Sequence, residues 1–140
     1  MQYIYTIAFF MSDLLFTYGT LRLNQSHPMA NYLAENATLV GLALLPKARL
    51  YKVDWYPALT FTDNENDMVV GDVFSLNNLD ALEKLDDYEG IGNGEIPYEY
   101  RREKVEIILE GNKTACWVYF YNHPLPENAE WIASGDFLNP

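Results

Sequence analysis

Short runs of strand length recur along this chain, and turn signals separate them. The first is the continuous apolar run Leu14 to Tyr18, which is typical of a fully buried strand. The later runs are rich in aliphatic, β-branched and aromatic residues, and they span 39–44, 48–53, 58–62, 68–76, 100–110 and 114–121. Strands and helices do not alternate along the chain. The pattern therefore predicts a mixed α+β domain built around a curled or closed sheet, rather than a doubly wound sheet.

One segment has a clear helical pattern. Leu79, Leu82 and Leu85 recur at three-residue spacing, Asn77 or Asn78 can cap the start, and Gly90 is a plausible stop. Residues 29–35 predict one or two further helical turns, and the tail 122–140 reads as loop.

The clearest helix places a carboxylate on its apolar side. At about 100° per residue, the three leucines define a face centred near Leu82, and Glu89 falls within about 20° of that centre. Burial of a carboxylate is costly and raises its pKa, so such a group can accept and donate protons near neutral pH. Two other interpretations stay open. The helix could fray before Glu89, or Glu89 could form an ion pair with Arg101 or Arg102.

The first strand ends in the turn Tyr18-Gly19-Thr20-Leu21. Glycine allows close backbone approach and unusual φ angles, and successive N–H groups of a turn can converge on a carboxylate or an oxyanion. Thr20 adds a hydroxyl group, and Tyr18 adds a ring with a polar tip. The alternative is an ordinary strand followed by a turn. A ligand site here predicts that Gly19→Val abolishes substrate binding while it spares the fold.

Charge and composition exclude several function classes. The formal net charge is −11 and the basic residues are scattered, so neither nucleic acid nor an anionic membrane is an expected partner. The single cysteine, Cys116, lies in an apolar run and fits a packed thiol in a reducing compartment, which predicts a cytoplasmic protein. His27 and His123 lack companions at ligand spacing, so no metal site is predicted.

The length of 140 residues fits one domain, which we place at 13–140. Residues 1–12 are expected to be an N-terminal extension that is not part of the native domain. The first ten residues are apolar, but they lack the basic n-region of a signal peptide, and they are too few to span a bilayer. Met11 begins a sequence that looks like a natural start. A small acidic domain of this kind is expected to be a monomer or a weak dimer.

Five further strings follow the Tyr18–Leu21 turn in a characteristic order. They are G-D-V-F at 71–74, L-D-D-Y-E-G at 85–90, Y-R-R-E-K-V at 100–105, W-V-Y-F-Y at 117–121 and S-G-D-F at 134–137. In this order and spacing, residues 13–137 resemble the γ-glutamylcyclotransferase-like family, which includes the AIG-type plant proteins and γ-glutamylamine cyclotransferase.

The resemblance implies a small mixed β-barrel with flanking helices and a polar cavity at one side. It implies that the backbone of Tyr18, Gly19, Thr20 and Leu21 holds the γ-glutamyl group, and that Glu89 is the catalytic acid/base. Tyr100 and Arg102 are further candidates, for closing the cavity or tuning Glu89. The other interpretation of these two residues is strand packing and a surface ion pair.

The implied partner is a small γ-glutamyl substrate, whose α-amino group attacks its own δ-carbonyl. The products are 5-oxoproline and an amine or amino acid, and no metal or cofactor is needed because one carboxylate can move both protons. The loop 91–97 lies near this site, so the leaving group is left open. Two alternatives remain: a non-catalytic binding module of the same fold, and an enzyme that removes a γ-glutamyl protecting group in a biosynthetic pathway.

Overall fold

A computed structural model describes residues 13–23, 25–78, 80–92 and 96–140. The predicted extension at residues 1–12 lies outside the described residues. The described elements are eight strands and two helices: β1 Leu14–Thr17, α1 Pro28–Asn36, β2 Ala37–Pro46, β3 Ala48–Lys52, β4 Pro57–Phe61, β5 Met68–Leu76, α2 Asp80–Tyr88, β6 Tyr100–Leu109, β7 Asn112–Tyr121 and β8 Glu130–Trp131. Neither of these helices is long and apolar enough to cross a membrane.

Five strands close into a barrel in the order β1-β5-β2-β6-β7. Neighbouring strands run antiparallel except at the closure, where β1 pairs parallel with β7 through Leu15 and Trp117. The remaining strands form a smaller sheet in the order β4-β3-β8. The prediction of an α+β protein with a small mixed barrel and flanking helices is confirmed.

Strand β1 is buried along its whole length because both of its faces are covered. Leu14 and Phe16 point into the hydrophobic cluster that fills the barrel, while Leu15 belongs to a second cluster under the helices. A strand between two cores needs apolar residues at every position, which explains the continuous run in the sequence.

Helix α2 begins and ends at the residues that carry its signals. The Asn78 side chain caps it, since its Oδ1 accepts a hydrogen bond from the Ala81 N–H at 2.9 Å. At the other end, Ile91 N–H donates to the Asp86 carbonyl at 2.9 Å and Gly90 N–H donates to the Asp87 carbonyl at 3.1 Å. Gly90 has φ of 80°. These are the hydrogen bonds of a Schellman cap, and they confirm the predicted stop at Gly90.

The predicted helical turns at 29–35 are a nine-residue helix, α1. The tail was expected to be loop throughout, and that expectation is wrong at β8. Trp131 pairs with Tyr51 of β3, and Ile132 N–H donates to the Leu50 carbonyl at 2.8 Å. Two residues are too short a run for periodicity to register, so only the contact with β3 defines this strand.

Candidate active site

A cavity of about 190 Å³ opens where β1, α2 and β6 end or begin close together. One wall is the turn 18–21 after β1, and another is Tyr88 and Glu89 at the end of α2. Glu99 and Tyr100 contribute the start of β6, and residues 55–57 contribute the loop before β4. The structure thus brings Glu89 and the turn to one cavity, although they lie about 70 residues apart in the chain.

Gly19 contributes backbone to the cavity wall, because it has no side chain. A Cβ atom added to it would lie 2.6 Å from Cγ and 2.9 Å from Cδ of the Pro57 ring. Close approach is therefore the reason for glycine here. The expected unusual φ is not found, since the described glycines with positive φ are 90, 92, 111 and 135. The expectation that Gly19→Val spares the fold is also revised, because any side chain at this position collides with Pro57.

The turn has backbone N–H groups in residues that line the cavity. Its one internal hydrogen bond runs from Arg22 N–H to the Gly19 carbonyl at 3.0 Å. In the described part of the chain, no acceptor pairs with the N–H groups of Gly19, Thr20 or Leu21. Such N–H groups can bind an anionic group or an oxyanion.

A buried ion cluster fixes the residue that follows the turn. Arg22 Nε donates to Asp72 Oδ2 at 3.2 Å, and its Nη1 donates to Asp136 Oδ1 at 2.8 Å. Leu23 N–H donates to the same Asp72 oxygen at 2.9 Å. Both Arg22 and Asp72 are buried. The cluster therefore ties the turn to β5 and to the C-terminal tail.

Sequence reasoning missed these three residues. The available signals were a charged residue inside the apolar strand sequence G-D-V-F and a second aspartate in S-G-D-F. An aspartate buried in a strand needs a cationic or hydrogen-bonding partner, but pattern alone does not say that the partner is Arg22.

Glu89 stays in the helical hydrogen-bond ladder, since its N–H donates to the Leu85 carbonyl at 2.9 Å. The interpretation that the helix frays before this residue is therefore wrong. Its ion pair with Arg101 or Arg102 is not found either. Arg101 pairs with Glu103 at 2.9 Å, and Arg102 pairs with Asp86 at 2.9 Å.

Within the described residues, no side chain forms a hydrogen bond or an ion pair with the Glu89 carboxyl group. Part of Glu89 stays accessible from the cavity. Burial raises its pKa to about 8, and the charges of Glu99 and Asp86 act in the same direction. A carboxyl group with this pKa exchanges protons readily near neutral pH.

Aromatic rings form much of the remaining wall. Burial raises the pKa of each wall tyrosine, so the phenols stay neutral. Several of their hydroxyl groups bind elsewhere in the protein: Tyr18 donates to the Tyr119 carbonyl, Tyr119 donates to Asp86 at 2.7 Å, and Tyr100 donates to the Pro57 carbonyl at 2.9 Å. The rings are thus held in place and give the cavity a rigid apolar lining.

The other predicted site residues occupy different positions. Thr20 and Leu21 line the cavity, and a hydrogen bond with Thr20 lowers the pKa of Tyr88 while burial raises it more. Tyr100 lines the cavity as well. Arg102 does not. Its guanidinium lies 4.3 Å from the centre of the Trp117 ring and pairs with Asp86 beside the cavity.

Sequence reasoning also missed Glu99, the second carboxylate in the cavity wall. A neighbouring cavity of about 380 Å³ has Tyr88, Glu89 and Glu99 in its wall as well. Both carboxylates therefore lie at the boundary of two cavities. Glu99 sits in the irregular segment before β6, which has no periodic pattern, so its sequence gives no sign of this position.

Fold and site together define a class of protein. It is a small α+β barrel with a cavity whose wall contains both an acid at the end of a helix, Glu89, and a glycine turn at Gly19. Sequence comparison supplies the family. The sequence model of the family described as "Gamma-glutamyl cyclotransferase, AIG2-like" matches residues 15–139. The chain belongs to this family, as the resemblance in the sequence motifs implied.

Two relatives illustrate the similarity. A Vibrio cholerae protein named "Putative gamma-glutamylcyclotransferase" is 29% identical over 126 residues, which cover 86% of this chain and 96% of that protein. The solution structure of ytfP from Escherichia coli is 27% identical, with a TM-score of 0.65, and the match covers 90% of this chain and 96% of that one.

A mouse AIG2-like protein of known structure has a TM-score of 0.67 at 21% identity, and the match covers 83% of this chain and 81% of that one. At this identity the likeness concerns the fold alone. The barrel and its flanking helices are therefore shared between bacterial and animal proteins.

Proposed function

We propose that this protein is a cyclotransferase that releases 5-oxoproline from a γ-glutamyl amine or γ-glutamyl amino acid. The observation that carries the proposal is the Glu89 carboxyl group, which lies in the cavity without a cationic partner among the described residues. The family supports the same reaction class. A buried carboxyl group kept free of ion pairs is costly for stability, and proton transfer gives it a use.

The substrate enters as a flexible γ-glutamyl chain that must bend before it reacts. The unpaired N–H groups of the turn at Gly19 are suited to bind its α-carboxylate or the oxyanion that forms at the δ-carbon. The rigid tyrosine walls and a volume of about 190 Å³ favour a compact, folded conformer. Holding the amine against the carbonyl supplies a large part of the rate enhancement.

Cyclisation needs two proton movements, and Glu89 is placed to take part in them. The α-amino nitrogen loses protons as it attacks the δ-carbon, and the departing nitrogen gains one as the amide bond breaks. A carboxyl group with a pKa of about 8 has both of its forms populated around neutral pH. Glu89 is accordingly the general acid/base of the proposed reaction.

The test is the release of 5-oxoproline from a panel of γ-glutamyl dipeptides and γ-glutamyl-ε-lysine. We expect lactam from at least one of these substrates with the wild-type protein, and background release from Glu89→Gln. If no substrate gives more lactam with wild type than with Glu89→Gln, the proposed function is wrong. The binding module then becomes the better interpretation, and ligand-dependent thermal shifts without turnover would support it.

A further inference from the structure

Glu99 lines the cavity beside Glu89, and the reaction as proposed gives it no part. Its backbone is held where β6 begins, since its carbonyl accepts a hydrogen bond from Asn122 N–H at 2.7 Å. The Asn122 side chain donates in turn to the Tyr98 carbonyl at 2.9 Å. Residues at the end of β7 therefore fix the position of Glu99 relative to the barrel.

A hydrogen bond holds the Glu99 side chain. The Tyr56 hydroxyl donates a hydrogen bond to its Oε2 at 2.8 Å. Its charge contributes to the raised pKa values of Tyr56 and Glu89. Among the described residues that line the cavity there is no lysine, arginine or histidine. A cation bound there would have to come from the ligand.

A γ-glutamyl substrate brings that cation, because a free α-amino group is protonated below a pH of about 8. The ammonium group is not a nucleophile until a base removes a proton. A carboxyl group that favours its protonated form, as Glu89 does, is better suited to donate a proton than to accept the first one.

Resting on the proposed function, we propose that Glu99 is a second catalytic carboxylate, which binds the α-ammonium group of the substrate and accepts its first proton. Glu89 then protonates the leaving nitrogen. The two carboxyl groups share one cavity but differ in their surroundings. Glu99 accepts a hydrogen bond from a phenol and acts as the base, while Glu89 has no hydrogen-bond partner among the described residues and acts as the acid.

The protons balance as follows. The α-ammonium gives one proton to Glu99, and the resulting amine attacks the δ-carbon to form the ring C–N bond. Glu89 gives its proton to the leaving nitrogen as the amide C–N bond breaks, and it regains a proton from the ring nitrogen. The proton on Glu99 passes through solvent to the released amine, so both carboxyl groups return to their starting states.

Several other titratable groups lie around Glu99. They are Glu89 at the end of α2, Tyr56 before β4, Tyr100 on β6, Tyr121 on β7 and His123 after β7. Burial raises the pKa of the three tyrosines above the usual value of 10.0, so their deprotonation is shifted away from the neutral range in which the variants are compared. His123→Gln is therefore measured beside the Glu99 variants.

The experiment measures kcat/KM for 5-oxoproline release between about pH 6 and about pH 10. Relative to wild type at the same pH, we expect Glu99→Gln to lose about 100-fold near neutral pH, and this deficit should shrink as the substrate amine deprotonates above about pH 8. Ionisation of Glu89 lowers the activity of both proteins in that range, so it largely cancels in the ratio. The Gln side chain keeps an acceptor for Tyr56. Glu106→Gln, which removes an exposed carboxylate from β6, the strand that follows Glu99, is expected to match wild type. The recovery is expected in Glu99→Gln and not in His123→Gln.

Three results overturn the inference: full activity of Glu99→Gln near neutral pH, a loss of equal size at every pH, or the same recovery in Glu99→Asp. The last variant keeps a carboxylate and also covers the case in which Glu99→Gln does not fold, as judged by its thermal transition. If the wild type is active, Glu89→Gln is inactive and Glu99→Gln is unaffected, the role of Glu99 is wrong and the proposed function stands. A wild type without lactam removes the proposed function as well.

Discussion

The turn after β1 lies between two groups of charged side chains that are built in opposite ways. On one side, Arg22 is buried between Asp72 and Asp136, and every charge has a partner. On the other side, Glu89 and Glu99 share a cavity wall that contains no basic residue among those described. The first group has the properties of a structural anchor, while the second keeps its carboxyl groups available to a ligand. The predictions below test that contrast.

The largest effect is expected at the group without basic partners. Glu89→Gln should lower 5-oxoproline release by about 10²–10⁴-fold, because it removes the proton donor while it keeps the shape of the side chain. Measured kcat and KM on one γ-glutamyl substrate check this. A variant with less than a fivefold loss, on the order of 1 kcal/mol in the barrier, would contradict the assignment.

The paired group should respond in stability. Arg22→Met leaves the buried Asp72 and the partly buried Asp136 without their cation, and it should lower the free energy of unfolding by about 3–5 kcal/mol. Denaturant titration measures this change. Lys47→Met is the matched control, because its pair with Glu65 at 3.9 Å is exposed, and its effect should stay below about 0.5 kcal/mol. Equal losses of stability in the two variants would show that the buried Arg22 cluster stabilises the fold no more than an exposed ion pair does.

Between the two groups, the turn itself can be tested at Gly19. Gly19→Ala places a Cβ against Pro57 and should cost about 1–3 kcal/mol through overpacking. Gly41→Ala is the control, since the nearest atoms to an added Cβ there lie 3.6 Å away. We expect the control to be neutral in thermal unfolding. If Gly19→Ala were equally neutral, the Pro57 ring would have moved aside without a loss of stability, and close approach would not be the reason for glycine at this position.

Stability should also depend on pH through Glu89. The folded state raises the pKa of Glu89 from 4.5 to about 8, so it binds the proton more tightly than the unfolded state does. The stabilisation from this proton is complete below the unfolded value and is lost as the pH rises to the folded value. Relative to wild type, Glu89→Gln should therefore gain stability as the pH rises from about 4.5 to about 8, by at most about 5 kcal/mol, since a change of one in the pKa corresponds to about 1.4 kcal/mol.

The paired group predicts the opposite sign for its own carboxyl. Burial alone would raise the pKa of Asp136, but hydrogen bonds from Asn139, Leu138 and Arg22 outweigh it and lower the value. Its contribution is present above the unfolded value of 3.8 and is lost below it, outside the window of Glu89. A difference between wild type and Glu89→Gln that grows towards acid pH would contradict the prediction for Glu89.

Much of the fold could be predicted because its signals are local. The spacing of the leucines predicts helix α2, Asn77 or Asn78 predicts its cap and Gly90 its stop, since these signals depend on residues within a few positions of each other. The structure selects Asn78 as the cap. The same periodicity placed Glu89 on the apolar side before any contact was known. By contrast, β8 gave no usable signal, because it is too short for a pattern and exists through its pairing with β3.

Apart from β8, the sequence by itself determined the element types, and it also determined the continuous burial of β1 and the unusual position of Glu89. These follow from steric and hydrophobic preferences that act along a few residues of chain. Only the tertiary structure decided that Gly19 is required by Pro57, that Arg22 is held by partners 50 and 114 residues away, and that Glu99 stands beside Glu89. Barrel closure creates these neighbours, and a contact between distant segments leaves no periodic trace in either one.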